Sequence, residues 1–465
     1  MWRVIAEREF IERVRDGRLY WAGGLMLALL AVALWVGAAH QQVQVREQEI
    51  ARALDYRDWV QQGHRHPHDA AHQGMHAFKR EPLLAIVDPG INPYIGSTIW
   101  LQAHRQSEVK FTPSQDATGL QRFGKLSAGW ILQVLGPLLV IILGFNAFAG
   151  EREQGVLRQL LSLGVSPVRL LMGKSAALAA GVAALLAPAL LVVGAGLLWF
   201  GEDAQRLDIA IRFGLLCAAY ALYLLVWVFV VLGVSAASRT SRTAITILLA
   251  LWVGQAVMAP RLMSEASRQL HPSPTRLAFN QALNADLKAT SDRVWMANFG
   301  TTERWGAAVP LSKWGLALRL DDQSSYPVYD RHFGALWDTW EKQQRLQEWS
   351  GMAFPLLAMR ALSMGLAGTD FAHHRHFAVS AERHRRDIQD LMSADLVAHA
   401  DTLDHQHFAY QADSALWATV PAFSHQQPGV RWALSQHGAS LAALLVAFGA
   451  AVAFAVLATR RQKAM

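Results

Sequence analysis

Long apolar runs, each flanked by charged residues, dominate the pattern of this chain. The hydrocarbon core of a bilayer is about 30 Å thick and needs about 20 apolar residues at a helical rise of about 1.5 Å. Runs of that order predict six transmembrane helices, at residues 21–39, 126–150, 175–200, 213–238, 244–260 and 432–459. We therefore expect a mainly α fold, that of a polytopic membrane protein.

The lysines and arginines between these runs indicate which side of the membrane each segment faces. Fourteen of them lie in four segments, 1–20, 151–174, 239–243 and 460–465. The short segment 201–212 has two. Because short loops rich in Lys and Arg stay in the cytoplasm, the four basic segments, and with them both termini, are predicted to be cytoplasmic. The large segments 40–125 and 261–431 then lie outside.

The composition agrees with a membrane protein. Hydrophobic residues make up 52% of the chain and charged residues 17%, against roughly a quarter charged in soluble proteins. The formal net charge of +7 comes from the cytoplasmic segments, while the outer segments are close to neutral. No nucleic-acid partner is expected, because such binding rests on neutralising phosphates. The single cysteine, Cys217, excludes a disulfide framework.

The first apolar run could also be a removable signal peptide, since basic residues precede it and small residues end it. A signal-peptide core is usually about 7–15 residues long, and the run at 21–39 is longer. A retained membrane helix is therefore favoured.

The two large outer segments are predicted to form an α-rich extracytoplasmic domain built from two inserts. The first, 40–125, begins as a helix that continues out of the membrane and loses helix signals from Pro67 onwards. The second, 261–431, is mainly helical, with apolar residues at three- and four-residue spacing in 331–349 and 371–418. Between these stretches, Gly368 to Asp370 is typical of a helix end followed by an N-cap.

Histidines are concentrated in the outer segments. His64, His68, His72 and His76 recur every four residues, and His373, His374 and His376 form a second group. Imidazoles four residues apart on a helix can bind zinc or copper. Solvated or capping histidines explain the same pattern, because a proline and a glycine interrupt the first run. These residues are therefore candidate metal ligands without an assigned metal.

No enzymatic motif is present: the chain has no HExxH, GxSxG or CxxC sequence and no complete phosphate-binding loop. We expect neither catalytic residues nor a cofactor in this chain. Polar residues inside the apolar runs include Gln133, Asn146, Gln436 and His437. Hydrogen bonds between helices are the favoured role for them, with substrate contact as the alternative.

The segment 151–174 has its own amphipathic pattern. Glu151 and Glu153 suit the first turn of a helix, where the helix dipole favours anions. Leucines at helical spacing then form an apolar stripe opposite Arg152 and Arg158. The pattern predicts one interfacial helix on the cytoplasmic face, which either rests on lipid or is presented to a cytoplasmic partner.

The sequence GEREQGVLRQLLSLGVSPVRLLMGK resembles the loop between the second and third spans of ABC-2 type transporter permeases. The stretch FPLLAMRALSMGLAGTDFAHHRHFAVSAERHR is similar to a subfamily of these permeases with large extracytoplasmic inserts of unknown function. The resemblance implies a coupling helix that docks on a separate ATPase subunit. Its residues would be Glu151, Arg152, Glu153, Gly155, Leu157, Arg158, Leu160 and Leu161, with Lys174 as closing anchor.

The resemblance further implies the transmembrane subunit of an ABC exporter in a bacterial inner membrane, with ATP and Mg on the partner ATPase. A second permease subunit, as homodimer or paralogous heterodimer, membrane lipids, and a periplasmic or outer-membrane partner for the inserts would complete the assembly. The alternative is a non-transporting membrane assembly or sensor protein whose outer domain binds a protein or metal. The resemblance does not identify a cargo.

Overall fold

A computed structural model describes residues 2–108, 126–200, 205–304, 309–399 and 410–462. The predicted loop 201–212, the inserts 40–125 and 261–431 and the tail 460–465 therefore lie partly outside the described residues. Within the described residues the protein is mainly α-helical with one two-stranded sheet, which confirms the predicted fold class.

Six helical segments of the described chain are long and apolar enough to cross a membrane, in agreement with the six predicted spans. They run over Arg18–Val60, Ala128–Glu153, Pro167–Leu197, Arg206–Ala237, Ser241–Leu270 and Gly438–Arg460. A short helix α1 (Trp2–Arg15) precedes α2 (Arg18–Val60), the first of them. At 43 residues, α2 is about 65 Å long, so it extends well beyond a bilayer core.

The second of these segments contains a π-helical turn and α4 (Gly136–Gly144), and it ends with the short helix α5 (Ala149–Glu153). A further short helix, α6 (Val156–Ser162), follows. The third and fourth spans are the helices α7 (Pro167–Phe200) and α8 (Arg206–Ala237). The fifth comprises α9 (Ser241–Val253), a π-helical turn and α10 (Ala259–Leu270).

The last span differs from the single helix predicted over 432–459. A short helix, α16 (Val430–Gln436), ends at His437, and α17 (Gly438–Arg460) starts after it. His437 separates the two helices, because its backbone conformation is not helical and its side chain hydrogen-bonds to Asp370 of the second insert.

The spans pack around α8, which contacts α4, α7 and α17. A continuous cluster of buried apolar side chains joins them. We call the end of the bundle with α1, α5, α6 and Gln462 the loop face, and the opposite end the insert face. Both described ends of the chain lie at the loop face, because α1 packs on the start of α7 and Gln462 contacts Ala236.

The two inserts pack together, and we call them the outer region after the side on which the sequence predicts them. The first contributes α3 (Pro67–Gln73) and the strands β1 (Met75–Phe78) and β2 (Thr98–Leu101), which pair antiparallel. The second contributes five helices in the described residues: α11 (Arg276–Phe299), α12 (Trp314–Ser350), α13 (Pro355–Ala367), α14 (Phe371–Ala398) and α15 (Ser414–Trp417). A shared core includes Trp59 and Trp417, and Trp59 Nε1 donates to Trp417 O at 3.0 Å.

Two local expectations have different outcomes. The prediction that helix is lost from Pro67 onwards was wrong at Pro67 itself. This proline is the first residue of α3, where its missing N–H costs nothing. The helix end at Gly368 and the N-cap at Asp370 are confirmed: Gly368 has a φ of 77°, and the Asp370 side chain accepts from the backbone N–H of His373.

Candidate functional site in the loop between the second and third spans

The predicted interfacial helix is broken into α5 and α6. Gly155 precedes α6 with a φ of 77°, a left-handed conformation that favours glycine, and it therefore ends one helix and starts the next. The expectation that Gly155 lies inside a single coupling helix was wrong for this reason. A Cβ atom at Gly155 would meet no neighbour within 4 Å, so only the backbone conformation requires glycine here.

Lys174 is the buried centre of this loop, with 1% of its side chain exposed. Its ammonium donates to Glu151 Oε1 at 2.7 Å and also to Glu9 of α1. Glu9 in turn pairs with Arg13, whose Nη1 donates to the carbonyl of Leu143 at 2.7 Å. The chain of contacts joins α1, the end of the second span and the start of the third.

Arg152 reaches across the loop face to the ends of two other spans. Its guanidinium donates to the carbonyl of Ala236 at 2.8 Å and to that of Ser238, which follows α8. It also donates to the side-chain oxygen of Gln462, just after α17. Because one guanidinium offers five donors in a fixed plane, Arg152 can hold these three acceptors together.

Glu153 and Ser235 complete the attachment of α5. The Glu153 carboxylate accepts from Ser241 N at 3.1 Å and Ser241 Oγ at 2.7 Å, at the start of α9. The buried Ser235 hydroxyl accepts from the backbone N–H groups of Phe148 and Ala149. These contacts satisfy donors at the beginning of α5, which have no partner inside the helix.

Helix α6 has one buried face and one exposed face. Leu157 is buried, and Leu160 and Leu161 are half-buried against the apolar cluster of the spans. The opposite side chains are exposed, and we call them the exposed tip: Arg158, Gln159, Ser162 and Leu163. Leu163 is 80% exposed, although it is a large apolar residue.

The predicted coupling residues therefore fall into two groups. Glu151, Arg152 and Lys174 hydrogen-bond inwards to other helices. Arg158 is exposed at the tip. Sequence reasoning had placed Glu151, Arg152 and Arg158 in one docking helix, with Lys174 as its closing anchor, because helical spacing alone does not reveal which charged side chains have partners elsewhere in the chain.

The first histidine group is only partly brought together. Helix α3 places His68 and His72 with their Nε2 atoms 3.1 Å apart. His64 precedes α3 and is exposed. His76 lies in β1, where its Nδ1 pairs with Asp55 Oδ1 at 2.6 Å. The regular spacing of four therefore yields one pair rather than one cluster of four.

The second histidine group spreads around α14 and does not converge. His373 Nδ1 and His437 Nε2 each lie 2.5 Å from an oxygen of Asp370. Burial opposes ionisation of this carboxyl, but its histidine partners outweigh burial and hold the pKa of Asp370 below its usual range. His374 points elsewhere, and burial lowers its pKa to about 3. His376 lies one turn after His373, and both rings pack against Trp432, but the ring nearest to His376 is that of His425, with the centroids 5.2 Å apart.

Sequence reasoning missed several residues that complete these arrangements. Glu9, Ser241 and Gln462 hold the loop, yet they are far from it in sequence. His104 joins His68 and His72, and Asp322 in α12 hydrogen-bonds to His104. The local sequence does not mark these residues, because each of these contacts joins positions that are far apart in the chain.

Gln133 lies in the second span and behaves as predicted. Its amide donates to Tyr220 OH of α8 at 3.0 Å, and its backbone carbonyl accepts from Tyr223 at 2.7 Å. These hydrogen bonds between spans confirm the structural role favoured for Gln133.

A cavity of about 570 Å³ lies at the insert face beside α2. Val32 and Val36 of α2 line its membrane side, while Gln44, Lys79 and Glu81 line its outer side. The cavity therefore combines an apolar wall with a charged rim, a combination that suits an amphipathic molecule.

Comparison with known families assigns both parts of the chain. Residues 263–426 match a domain of unknown function, DUF3526, which coincides with most of the second insert. No curated protein sequence matches the chain. Residues 3–314 match the model of the ABC-2 family transporter proteins, and this match includes α1, the first five spans and the whole loop. The chain therefore belongs to the ABC-2 family, as a multi-pass permease component of an ABC transporter that is not itself a catalyst.

Proposed function

We propose that this protein is the transmembrane subunit of an ATP-driven exporter in a bacterial inner membrane. The loop face lies in the cytoplasm and docks on a separate ABC ATPase subunit, which binds ATP and Mg. The excess of Lys and Arg in the segments at the loop face supports this orientation. The family implies association with an ATPase subunit.

The observation that carries the proposal is the exposed tip of α6 on a rigidly held base. Leu163 and Arg158 extend outwards. The base behind them is fixed by the buried Lys174 and by Arg152. An exposed apolar side chain among polar residues suits burial against a partner, and arginine is enriched among the residues that dominate the binding energy of an interface.

The contacts of the base provide a route for movement. Arg152 joins α5 to the ends of α8 and α17, and Glu153 joins it to the start of α9. Closure of the ATPase on ATP would push the tip, and these contacts would pass the displacement to several spans at once. Such rigid-body shifts between packed arrangements are a common way to change the access of a site.

A second permease subunit completes the pathway in this proposal. Within the described residues the spans pack through a continuous apolar cluster, which supports a pathway between two subunits rather than through one. The first and fifth spans are the least buried, with 22% and 17% of their most apolar stretches covered. Both contact α4, so they could form one surface for a partner subunit.

Cysteine crosslinking tests this pairing. In a Cys217→Ser background, Leu249→Cys in α9 is expected to give a crosslinked dimer on oxidation in membranes. Leu445→Cys in α17 is the matched control, since both leucines are exposed apolar residues of a span. Equal crosslinking of both variants would contradict the assigned surface.

The cargo proposed is an amphipathic molecule, such as a peptide or a lipid-like product. The spans have few charged residues, and the cavity beside α2 has an apolar wall and a charged rim. A cargo of that kind could leave the bilayer through this cavity with its polar end towards the outer region.

Copurification from the native host tests the proposed function. The protein, solubilised in detergent, is expected to bring down a stoichiometric partner that hydrolyses ATP. Arg158→Glu with Leu163→Asp should reduce the recovered partner roughly tenfold or more, because both changes fall on the tip. The matched control is Arg293→Glu with Leu277→Asp in α11, which also changes an exposed arginine and an exposed leucine.

The control variant should recover as much partner as the wild type, and both variants should keep the wild-type thermal midpoint. Failure to recover any ATPase from folded protein would contradict the exporter. It would favour the non-transporting assembly or sensor protein, in which the outer domain is the functional part.

A further inference from the structure

Three imidazoles meet on the outer region, away from the loop. His68 and His72 lie one turn apart on α3, and His104 lies in the turn after β2. Each offers one ligand atom, and these atoms all lie within 4.8 Å of one another. The three ring centroids are 4.5–5.0 Å apart. Their nitrogens therefore surround one point that a single ion could occupy.

His104 is held in place from behind by an acidic residue. Its Nδ1 lies 2.9 Å from Asp322 Oδ1, and the Asp322 side chain is 5% exposed. This hydrogen bond leaves Nε2 of His104 to face the other two rings. A carboxylate that fixes the second nitrogen of a histidine is the usual support of a metal-binding imidazole, because it sets the tautomer and raises the basicity of the ligand.

The backbone at His104 is also unusual. Its φ of 64° makes it the only non-glycine residue with a positive φ in the described part of the chain. Tyr329 OH donates to the His104 carbonyl at 3.0 Å, and Ala103 N donates to Ala71 O of α3 at 2.9 Å. A left-handed non-glycine residue costs free energy, and here the contacts of its turn keep the ring towards α3.

We propose that His68, His72 and His104 bind one divalent transition-metal ion of the zinc or copper class. Three neutral imidazoles are a common donor set for both ions. Around a tetrahedral zinc ion, nitrogens at about 2.0–2.1 Å are about 3.4 Å apart. The 3.1 Å between His68 and His72 is close to this spacing. His72 is exposed, so a water molecule or a further ligand can complete the coordination.

The bound ion would join two segments of the first insert and act on the second insert through the hydrogen bond between His104 and Asp322. Two of its ligands belong to α3 and one to the turn after β2, both in the first insert, while the supporting Asp322 belongs to α12 in the second. Binding to the folded arrangement alone stabilises it by mass action. The site therefore gives the outer region a response to the metal content of its surroundings, independent of ATPase binding.

Isothermal titration of the full chain with zinc chloride, and separately with copper(II) chloride, tests the site. The protein carries an affinity tag without histidines and is first treated with a chelator. We expect one ion per chain for at least one metal. His104→Gln and His72→Gln should each weaken its binding about a hundredfold or more, whereas the exposed neighbour His64→Gln should leave it unchanged.

Asp322→Asn tests the supporting role, with an expected loss of about 10–100-fold in affinity and rescue by Asp322→Glu. With copper(II), electron paramagnetic resonance should show nitrogen ligands in the wild type that disappear in His104→Gln. His72→Gln keeps the test valid if His104→Gln fails to fold, because His72 is exposed. Several weak ions per chain, or equal losses in His64→Gln and His72→Gln, would overturn the proposal.

Discussion

The loop face and the insert face use their polar side chains in opposite ways. At the loop face, the charged residues Lys174 and Arg152 turn inwards and hold helices together, and the exposed tip has few contacts within the chain. At the insert face, His68 and His72 point towards a shared centre, and the acidic residue Asp322 lies behind the third imidazole.

This difference separates supporting residues from the proposed contacting residues by their partners within the chain, since even the exposed Glu153 accepts from Ser241 of another helix. The conspicuous charges of the loop motif hold helices of the chain together, and the proposed partner surface is Leu163 with its neighbours. In the outer region the support is a buried carboxylate, and the groups left for a ligand are imidazoles. Each comparison can be tested by removing one supporting group and one contacting group.

The largest expected effect comes from removing the buried cation of the loop face. Lys174→Met removes the cation between the carboxylates of Glu9 and Glu151, so that Glu9 keeps only Arg13 and Glu151 loses its ion pair. We expect the free energy of unfolding to fall by about 3 kcal/mol. This value is at the low end for a broken buried ion pair, because the side chains of Glu9 and Glu151 are both partly exposed. A fall in the thermal midpoint of the purified protein would be the measurement.

Arg169→Met is the matched control for Lys174→Met, because Arg169 lies in the same helix but is exposed. It should change the midpoint little. Glu151→Gln added to Lys174→Met should recover part of the loss, since one of the uncompensated charges disappears. Equal midpoints for Lys174→Met and Arg169→Met would contradict the supporting role.

At the insert face, the largest effect on stability is expected from lowering the pH. Burial and the nearby Lys79 ammonium lower the pKa of His374 from 6.5 to about 3. Between these values the unfolded chain binds more protons than the folded one, so stability falls as the pH drops below 6.5. Between pH 7 and pH 5, protonation of His374 in the unfolded chain alone lowers the free energy of unfolding by about 2 kcal/mol.

The pH effect is measured as the thermal midpoint of the wild type and of His374→Gln across this range. The variant cannot take up the proton, so its midpoint should fall less between pH 7 and pH 5. Parallel curves for the two proteins would show that His374 is not the responsible group. A loop-face variant such as Arg169→Met should keep the wild-type slope.

The sequence was sufficient for the spans and for the family, and insufficient for the partners of single side chains. Apolar runs of about 20 residues have one common solution in a membrane, so six spans were predicted and found. Local rules were less certain: Pro67 starts a helix, and Gly155 divides one. His104 and Asp322 meet across 218 residues of sequence, a contact that no spacing rule contains.

A smaller effect on stability is expected from the glycine that divides the loop. Gly155→Ala places a Cβ in open space but in a left-handed backbone conformation, at a cost of about 1–2 kcal/mol. Gly90→Ala at the insert face should cost more, because its φ is also positive and its Cβ would lie 2.5 Å from Thr369 O. A lower thermal midpoint for Gly155→Ala than for Gly90→Ala would contradict the open space at Gly155 and the close contact at Gly90.

The exposed tip is expected to show the smallest effect on stability. It also separates most sharply the residues that support the fold from those proposed to contact the partner. Leu163→Ser removes an apolar side chain that is already 80% exposed, so the free energy of unfolding should change by less than about 0.5 kcal/mol. Recovery of the ATPase partner should nevertheless fall, because the leucine can be buried only in the complex. Leu157→Ser, one and a half turns earlier and buried, should lower the thermal midpoint strongly. If Leu163→Ser were instead the more destabilising change, the tip would be part of the protein's own packing, and another surface would have to serve the partner.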